Sequence, residues 1–270
     1  MDFLPKLNQG DIMFFGKIQK YAMKFNKKKY LKSMCIPLFF ISVLIFYCVM
    51  PYLFTTVSDL LIPDISEKYS LGYSVLRCVI IFASGFSACV FYSTVSIGEE
   101  AWYSGRLTGK KNGLKRFIYW FSFRNSFKAF TLRATVFLLK LFWSVVFLLP
   151  SLLTFSVVFV TAFSGGIETY LFLSMTAGSI ILLITGLIFR FIVIQRYFLA
   201  EFILAENPHN QVIQTIKQSK NLIDGQIFTV VKFKLTFLPL ALPCLFLIPL
   251  FFIYPHYKQS RSILANELMV

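Results

Sequence analysis

Five stretches of this chain contain no Asp, Glu, Lys or Arg. They are 26 residues between Lys32 and Asp59, 21 between Arg77 and Glu99, 27 between Lys140 and Glu168, 21 between Glu168 and Arg190, and 23 between Lys234 and Lys258. A helix needs about 20 apolar residues to cross a hydrocarbon core about 30 Å thick. Each window is long enough and none is much longer, which predicts spans over about 35–57, 72–98, 141–163, 169–189 and 235–255. A soluble domain is about one quarter charged, whereas here 14% of residues are charged, 57% are hydrophobic and Phe alone occurs 33 times. Such a surface calls for an apolar solvent. The pattern predicts an all-α, polytopic helical membrane bundle of about five spanning helices plus interfacial amphipathic helices. Residues 1–34 are expected to be a cytoplasmic, basic, amphipathic segment, and 35–270 a single helical membrane domain.

The net charge of +15 follows the same division. Residues 1–34 carry eight Lys against Asp2 and Asp11, residues 99–133 carry four Lys and four Arg against Glu99 and Glu100, and residues 190–234 are again basic. The connection over 58–70 holds Asp59, Asp64, Glu67 and Lys68, and that near 164–170 holds Glu168 alone. Basic and acidic connections alternate where successive crossings put them on opposite faces. The positive-inside rule then predicts a cytoplasmic N-terminus and, with five crossings, a C-terminal tail (Lys258, Arg261, Glu267) on the outer face of a bacterial cytoplasmic membrane. The charge reads as topology and attraction to anionic lipid, not as a nucleic-acid surface.

Local patterns add detail. Ile12, Phe15, Ile18, Tyr21, Ala22 and Phe25 recur at helical spacing among lysines, as in a helix lying along the interface. Ala83, Ser84, Gly85, Ser87 and Ala88 give the second span a low-bulk stretch suited to close helix packing, and Gly178 and Gly186 share one face of the fourth. Asn207-Pro208 reads as a helix start, followed by a mixed face through Val212, Ile216 and Ile223 up to the Asp224-Gly225 turn. Pro239, Pro243, Pro249 and Pro255 crowd the fifth window, which predicts a bent or locally unwound helix there.

Handles for chemistry are scarce. Every carboxylate falls outside the windows, whereas a coupled carrier usually places an ionisable group near mid-membrane. His209 and His256 fall on expected opposite faces, and no HExxH, CxxC, GxSxG or phosphate-loop motif occurs, so no metal or cofactor is expected. Glu99-Glu100 are adjacent, and adjacent helical residues do not face each other, which argues against an acid/base dyad. The five cysteines lie in or beside apolar windows and behave as small hydrophobes. Two candidate sites stand. Arg106, Lys110, Lys111, Lys115, Arg116 and Arg124 form a basic connection able to gather anionic lipid headgroups, though the same charges serve topology alone. Breaks at Pro239, Pro243 and Pro249 offer backbone carbonyls to a cavity, though a structural kink explains them equally.

The stretch RYFLAEFILAENPHNQVIQTIKQSKNLIDGQIFTVVKFKLTF, residues 196–237, carries an aromatic-rich helix ending at Glu206-Asn207-Pro208, the pair Ser219-Lys220 and the turn Asp224-Gly225. Residues 140–155 hold a Trp-containing span with its proline, and residues 255–268 a proline–aromatic exit with a polar tail. In these features the chain resembles multi-pass membrane proteins of Gram-positive bacteria, number 975 among the domains of unknown function. It departs from them at His256, where a Tyr is more typical, and in its first hundred residues. The resemblance implies a bacterial cytoplasmic membrane and no particular activity. The expected role is a non-catalytic integral membrane protein that binds a partner, associates with itself or modulates the membrane, in contact with anionic lipid on the cytoplasmic side. The alternative is a permease or channel component built on the proline-broken fifth helix.

Overall fold

The computed structural model describes residues 70–107, 113–163, 169–241 and 247–269, together with the helical positions Ile18, Val43, Ile45, Val49 and Thr56. These residues are helical apart from short turns. The long elements are α1 (Ser70–Leu107), α2 (Gly113–Tyr119), α3 (Phe123–Phe163), α4 (Thr169–Ile194), α5 (Ala200–Glu206), α6 (Val212–Ile223), α7 (Ile227–Ala241) and α8 (Leu247–Met269), with a short 3₁₀ turn, Gln195–Tyr197, between α4 and α5. The chain is therefore an all-α, multi-pass membrane protein. Among the described residues three helical stretches are long and apolar enough to cross a bilayer: Ser74–Gly105, Phe123–Phe163 and Tyr170–Glu206. They cover all but the first residue or two of the second, third and fourth expected spans. The first expected span lies largely outside the described residues.

The bilayer-facing surfaces look as an apolar solvent requires. Phe82, Phe137, Leu152, Phe159, Leu173 and Ile181 all point outward. Hydroxyls on these helices turn back onto their own backbone: Ser84 donates to the carbonyl of Ile81, Thr135 to Thr131, Ser156 to Leu153 and Thr176 to Phe172. Each polar side chain is thereby satisfied without water. The 41 residues of α3 rise about 60 Å, roughly twice the hydrocarbon thickness. Its N-terminal half thus continues beyond the core and carries Arg133 and Lys140.

Helices α3 and α4 pack against each other through one close approach. A Cβ on Gly186 would collide with the backbone carbonyl of Phe147, so only glycine lets the two backbones come this near. Phe147 stacks on Phe189 and Trp143 (centroids 6.0 and 5.7 Å), and Arg190 Nε donates to Ser144 Oγ at 2.6 Å. A Cβ on Gly178 would meet nothing within 4 Å among the described residues, so of the two glycines only Gly186 sits at a close approach.

At one end of the bundle the helices close into a cap with two apolar cores. One joins Ile97, Trp120, Leu132, Val136 and Leu204. The other joins Phe198, Phe202, Ile223, Phe233, Ile263 and Leu264, and includes Ile18. Asn207-Pro208 occupies the turn between α5 and α6, and α6 begins only at Val212 with Gln211 as its cap, so the proline does not open that helix as its spacing suggested. Thr215, Ser219 and Ile223 form the buried face of α6, and Gly225, at φ +87°, makes the turn that follows in a conformation side chains disfavour.

The fifth apolar window departs most from expectation. Phe233 and Phe237 of α7 pack on Tyr257 of α8 with centroids 6.2 and 5.2 Å apart, and Phe237 also meets His256 at 5.8 Å. Lys234 and Arg261 both lie against the ring of Phe198. The two ends of the window thus lie together, whereas a straight helix of that length would hold them about 30 Å apart.

Candidate functional site

The returning chain delivers α8 into the cap, where it completes a buried network of charge. Lys258 Nζ lies 3.1 Å from Glu99 Oε2 and 2.9 Å from Glu100 Oε1. Arg261 bridges Glu100 and Glu201 through its two Nη atoms, at 3.0 and 3.1 Å. Glu201 also accepts from Arg133 Nε at 3.0 Å, and Arg133 rests on the face of Tyr92, 4.4 Å from the ring centroid. Tyr254 Oη donates to Glu99 at 2.7 Å. Three carboxylates and three cations from α1, α3, α5 and α8 therefore form one continuous, formally neutral chain. Glu100 is fully buried and Lys258 is 7% exposed.

Electrostatics in the network favour the charged forms. Burial pushes the Lys258 ammonium down, but Glu100 and Glu99 outweigh it and hold its pKa well above the ordinary lysine value. Burial likewise works against Arg261, and Glu100 and Glu201 more than compensate. Lys234 stands at the edge of the group without such a partner. Burial, reinforced by the Arg261 and Lys140 charges and only partly offset by Glu201, lowers its pKa to about 8. Burial also lowers the His256 pKa.

Sequence reasoning placed these residues differently. Glu99 and Glu100 do not meet as an acid/base dyad, but Lys258 grips both. Lys258 and Arg261 belong to the tail expected across the membrane from residues 99–133. In the structure Lys258 lies about 3 Å from both Glu99 and Glu100. A signal was present: acidic residues directly follow one apolar window, and a basic pair at i, i+3 directly follows another.

Of the basic residues expected to meet lipid, Lys115 and Arg116 line an open cleft of about 340 Å³ walled by Tyr119 and Trp120. Arg124 is exposed in the first turn of α3, outside the cleft. Arg106 is in the last turn of α1, and Lys110 and Lys111 lie outside the described residues. Of the helix-breaking prolines, Pro239 sits inside α7 and Pro249 near the start of α8, while Pro243 lies outside the described residues. Among the described residues no three His, Cys, Asp or Glu side chains gather as a metal site requires.

No curated protein and no solved structure matches the chain. A family model does match, over residues 106–266, which takes in Arg133, Glu201, Lys258 and Arg261 of the network. The chain belongs to that family, described as protein of unknown function (DUF975).

Proposed function

We propose that the protein is a non-catalytic component of a bacterial cytoplasmic membrane, in which the helix bundle holds a rigid, ion-paired cap at the cytoplasmic face for association with a membrane partner. The observation that carries this reading is that Glu99, Glu100 and Glu201 are all held by cations at 2.9–3.1 Å. A general acid or base needs a carboxyl group free to exchange a proton near working pH. A carboxylate gripped by buried Lys or Arg serves instead to fix which helices meet.

Sidedness follows from the basic connections, which favour the cytoplasm. With the first window as a crossing and the fifth as a returning hairpin, the crossings number four, and the C-terminus then shares the cytoplasmic side with the N-terminus. This replaces an outer C-terminus.

The test is reconstitution of the full chain into sealed vesicles, beside crosslinking in intact native membranes. The expected result is solute flux at the background of empty vesicles and one crosslinked complex of defined size. Flux that rises with protein content and is lost on Glu201→Gln would overturn the reading in favour of a permease.

A further inference from the structure

Two lysines stand beside the neutral network with no carboxylate left for them. Lys140 lies on the face of α3 that also carries Arg133, seven residues before it, and Ser144, four after. It sits in the electric fields of Glu201, Arg261 and Arg133. Lys234 of α7 lies 5.8 Å from the ring centroid of Phe198 and feels the charges of both Arg261 and Lys140. Among the described residues Glu201 is the carboxylate whose attraction reaches both lysines. Its oxygens are already taken, Oε1 by Arg133 at 3.0 Å and Oε2 by Arg261 at 3.1 Å. Neither ammonium forms an ion pair among the described residues, and neither is sealed from the outside as Arg133 Nη1 is. Like charges held together in a partly apolar setting cost free energy unless an anion joins them.

Their position indicates which anion. Each lysine is the last charge before an apolar window, and each is followed at once by an outward-pointing leucine, Leu141 and Leu235. Leu138 and Leu238 point outward beside them. This pattern puts the ammonium groups at headgroup level with acyl chains alongside. We propose that Lys140 and Lys234 together hold the phosphate of one anionic phospholipid, whose acyl chains lie against Leu141 and Leu235. Lysine meets phosphate as a point charge, so two ammonium groups suffice without the fork of an arginine. A free phosphate ion offers the same chemistry, but the flanking leucines favour a lipid as its source. The site requires only that the bundle sit in a bilayer, and it stands independently of the partner reading.

The test is native mass spectrometry of the full chain in detergent, titrated with phosphatidylglycerol or with phosphatidylcholine of the same acyl chains, whose choline cancels the phosphate charge. A third arm adds inorganic phosphate as competitor. The expected result is one phosphatidylglycerol bound about tenfold more tightly than phosphatidylcholine. Lys140→Gln and Lys234→Gln each weaken it about tenfold, as for the loss of a hydrogen bond to a charged group. Lys234→Arg, which keeps the charge, retains most of the affinity. Arg124→Gln removes an exposed cation about 24 Å along α3 from Lys140 and leaves binding unchanged. Thermal melting without lipid at pH 7 separates binding from folding: Lys234→Gln melts at or above the wild type, because it removes a charge with no internal partner. Displacement by millimolar phosphate would identify the free ion as an equally good source of the same group. Equal affinity for both lipids, phosphatidylglycerol binding unmoved by either lysine substitution, or Lys234→Gln melting well below the wild type, would overturn the proposal.

Discussion

Lys258 shows what one side chain does when it is buried between two carboxylates. Its contribution is not simply favourable, since desolvating three charges costs several kcal/mol that their attraction must offset. Removing it alone is another matter, because Glu99 then keeps only the hydroxyl of Tyr254 among the partners described. Lys258→Met should lower stability by about 3–5 kcal/mol, read as an early thermal unfolding in detergent, and adding Glu99→Gln should recover part of the loss. A single variant that melts with the wild type would show that the pair is not formed. Lys234 makes the opposite case. Its folded pKa of about 8 lies below the ordinary lysine value, so between the two the unfolded chain binds more protons than the folded one. Stability should therefore rise with pH from about 8 to about 10.5. The groups facing Lys234 are Arg261 of α8, Lys140 of α3 and Glu201 of α5, and of these only Glu201 favours its charge. Lys234→Met should flatten that slope while leaving unfolding at pH 10.5 nearly unmoved.

At the scale of elements, α7 and α8 are the pair whose arrangement most changes the topology. Cysteines placed at 237 and 257, in a chain freed of its five native cysteines, should be joined by a short bifunctional thiol reagent, because the rings they replace meet with centroids 5.2 Å apart. On one straight helix the same positions would stand about 30 Å apart, and no crosslink would form. Packing of α3 on α4 can be tested as sharply. Gly186→Ala forces the Phe147 carbonyl to move and should cost about 1–3 kcal/mol of thermal stability, whereas Gly178→Ala should be nearly silent. The second, third and fourth crossings were legible because an apolar window of the right length states its own requirement. How the two ends of the fifth window meet was not legible, because hydropathy records length and polarity but not direction. Its prolines signalled a break, while the return depends on Phe233 and Phe237 meeting Tyr257, a contact no local pattern encodes. Likewise the cleft's Lys115 and Arg116 could be read as a basic connection, but their position against Glu206 and Trp120 required the fold.

For the whole molecule, the network connects charges that composition alone assigns to topology. Glu99 and Lys258 stand far apart in sequence, so counting loop charge treated them as independent markers on opposite faces. Together they place α1, α3, α5 and α8 at one end. Single cysteines at 115, 215 and 270 should therefore react with a membrane-impermeant thiol reagent from the same side, and one at 65 from the other. Labelling of 115 and 270 from opposite sides would contradict the ion pairs.

Closing the network last has a consequence for biosynthesis. Glu100 and Lys258 are separated by 158 positions in the chain. At bacterial elongation rates the carboxylate emerges roughly 8–30 s before its ammonium exists. Through that interval the crossings are inserted while the acidic pair at the foot of α1 is still uncompensated, open to water or to a chaperone. A chain cut short before residue 258 should therefore expose the two carboxylates that α8 helps bury, read as faster proteolysis of the shortened form.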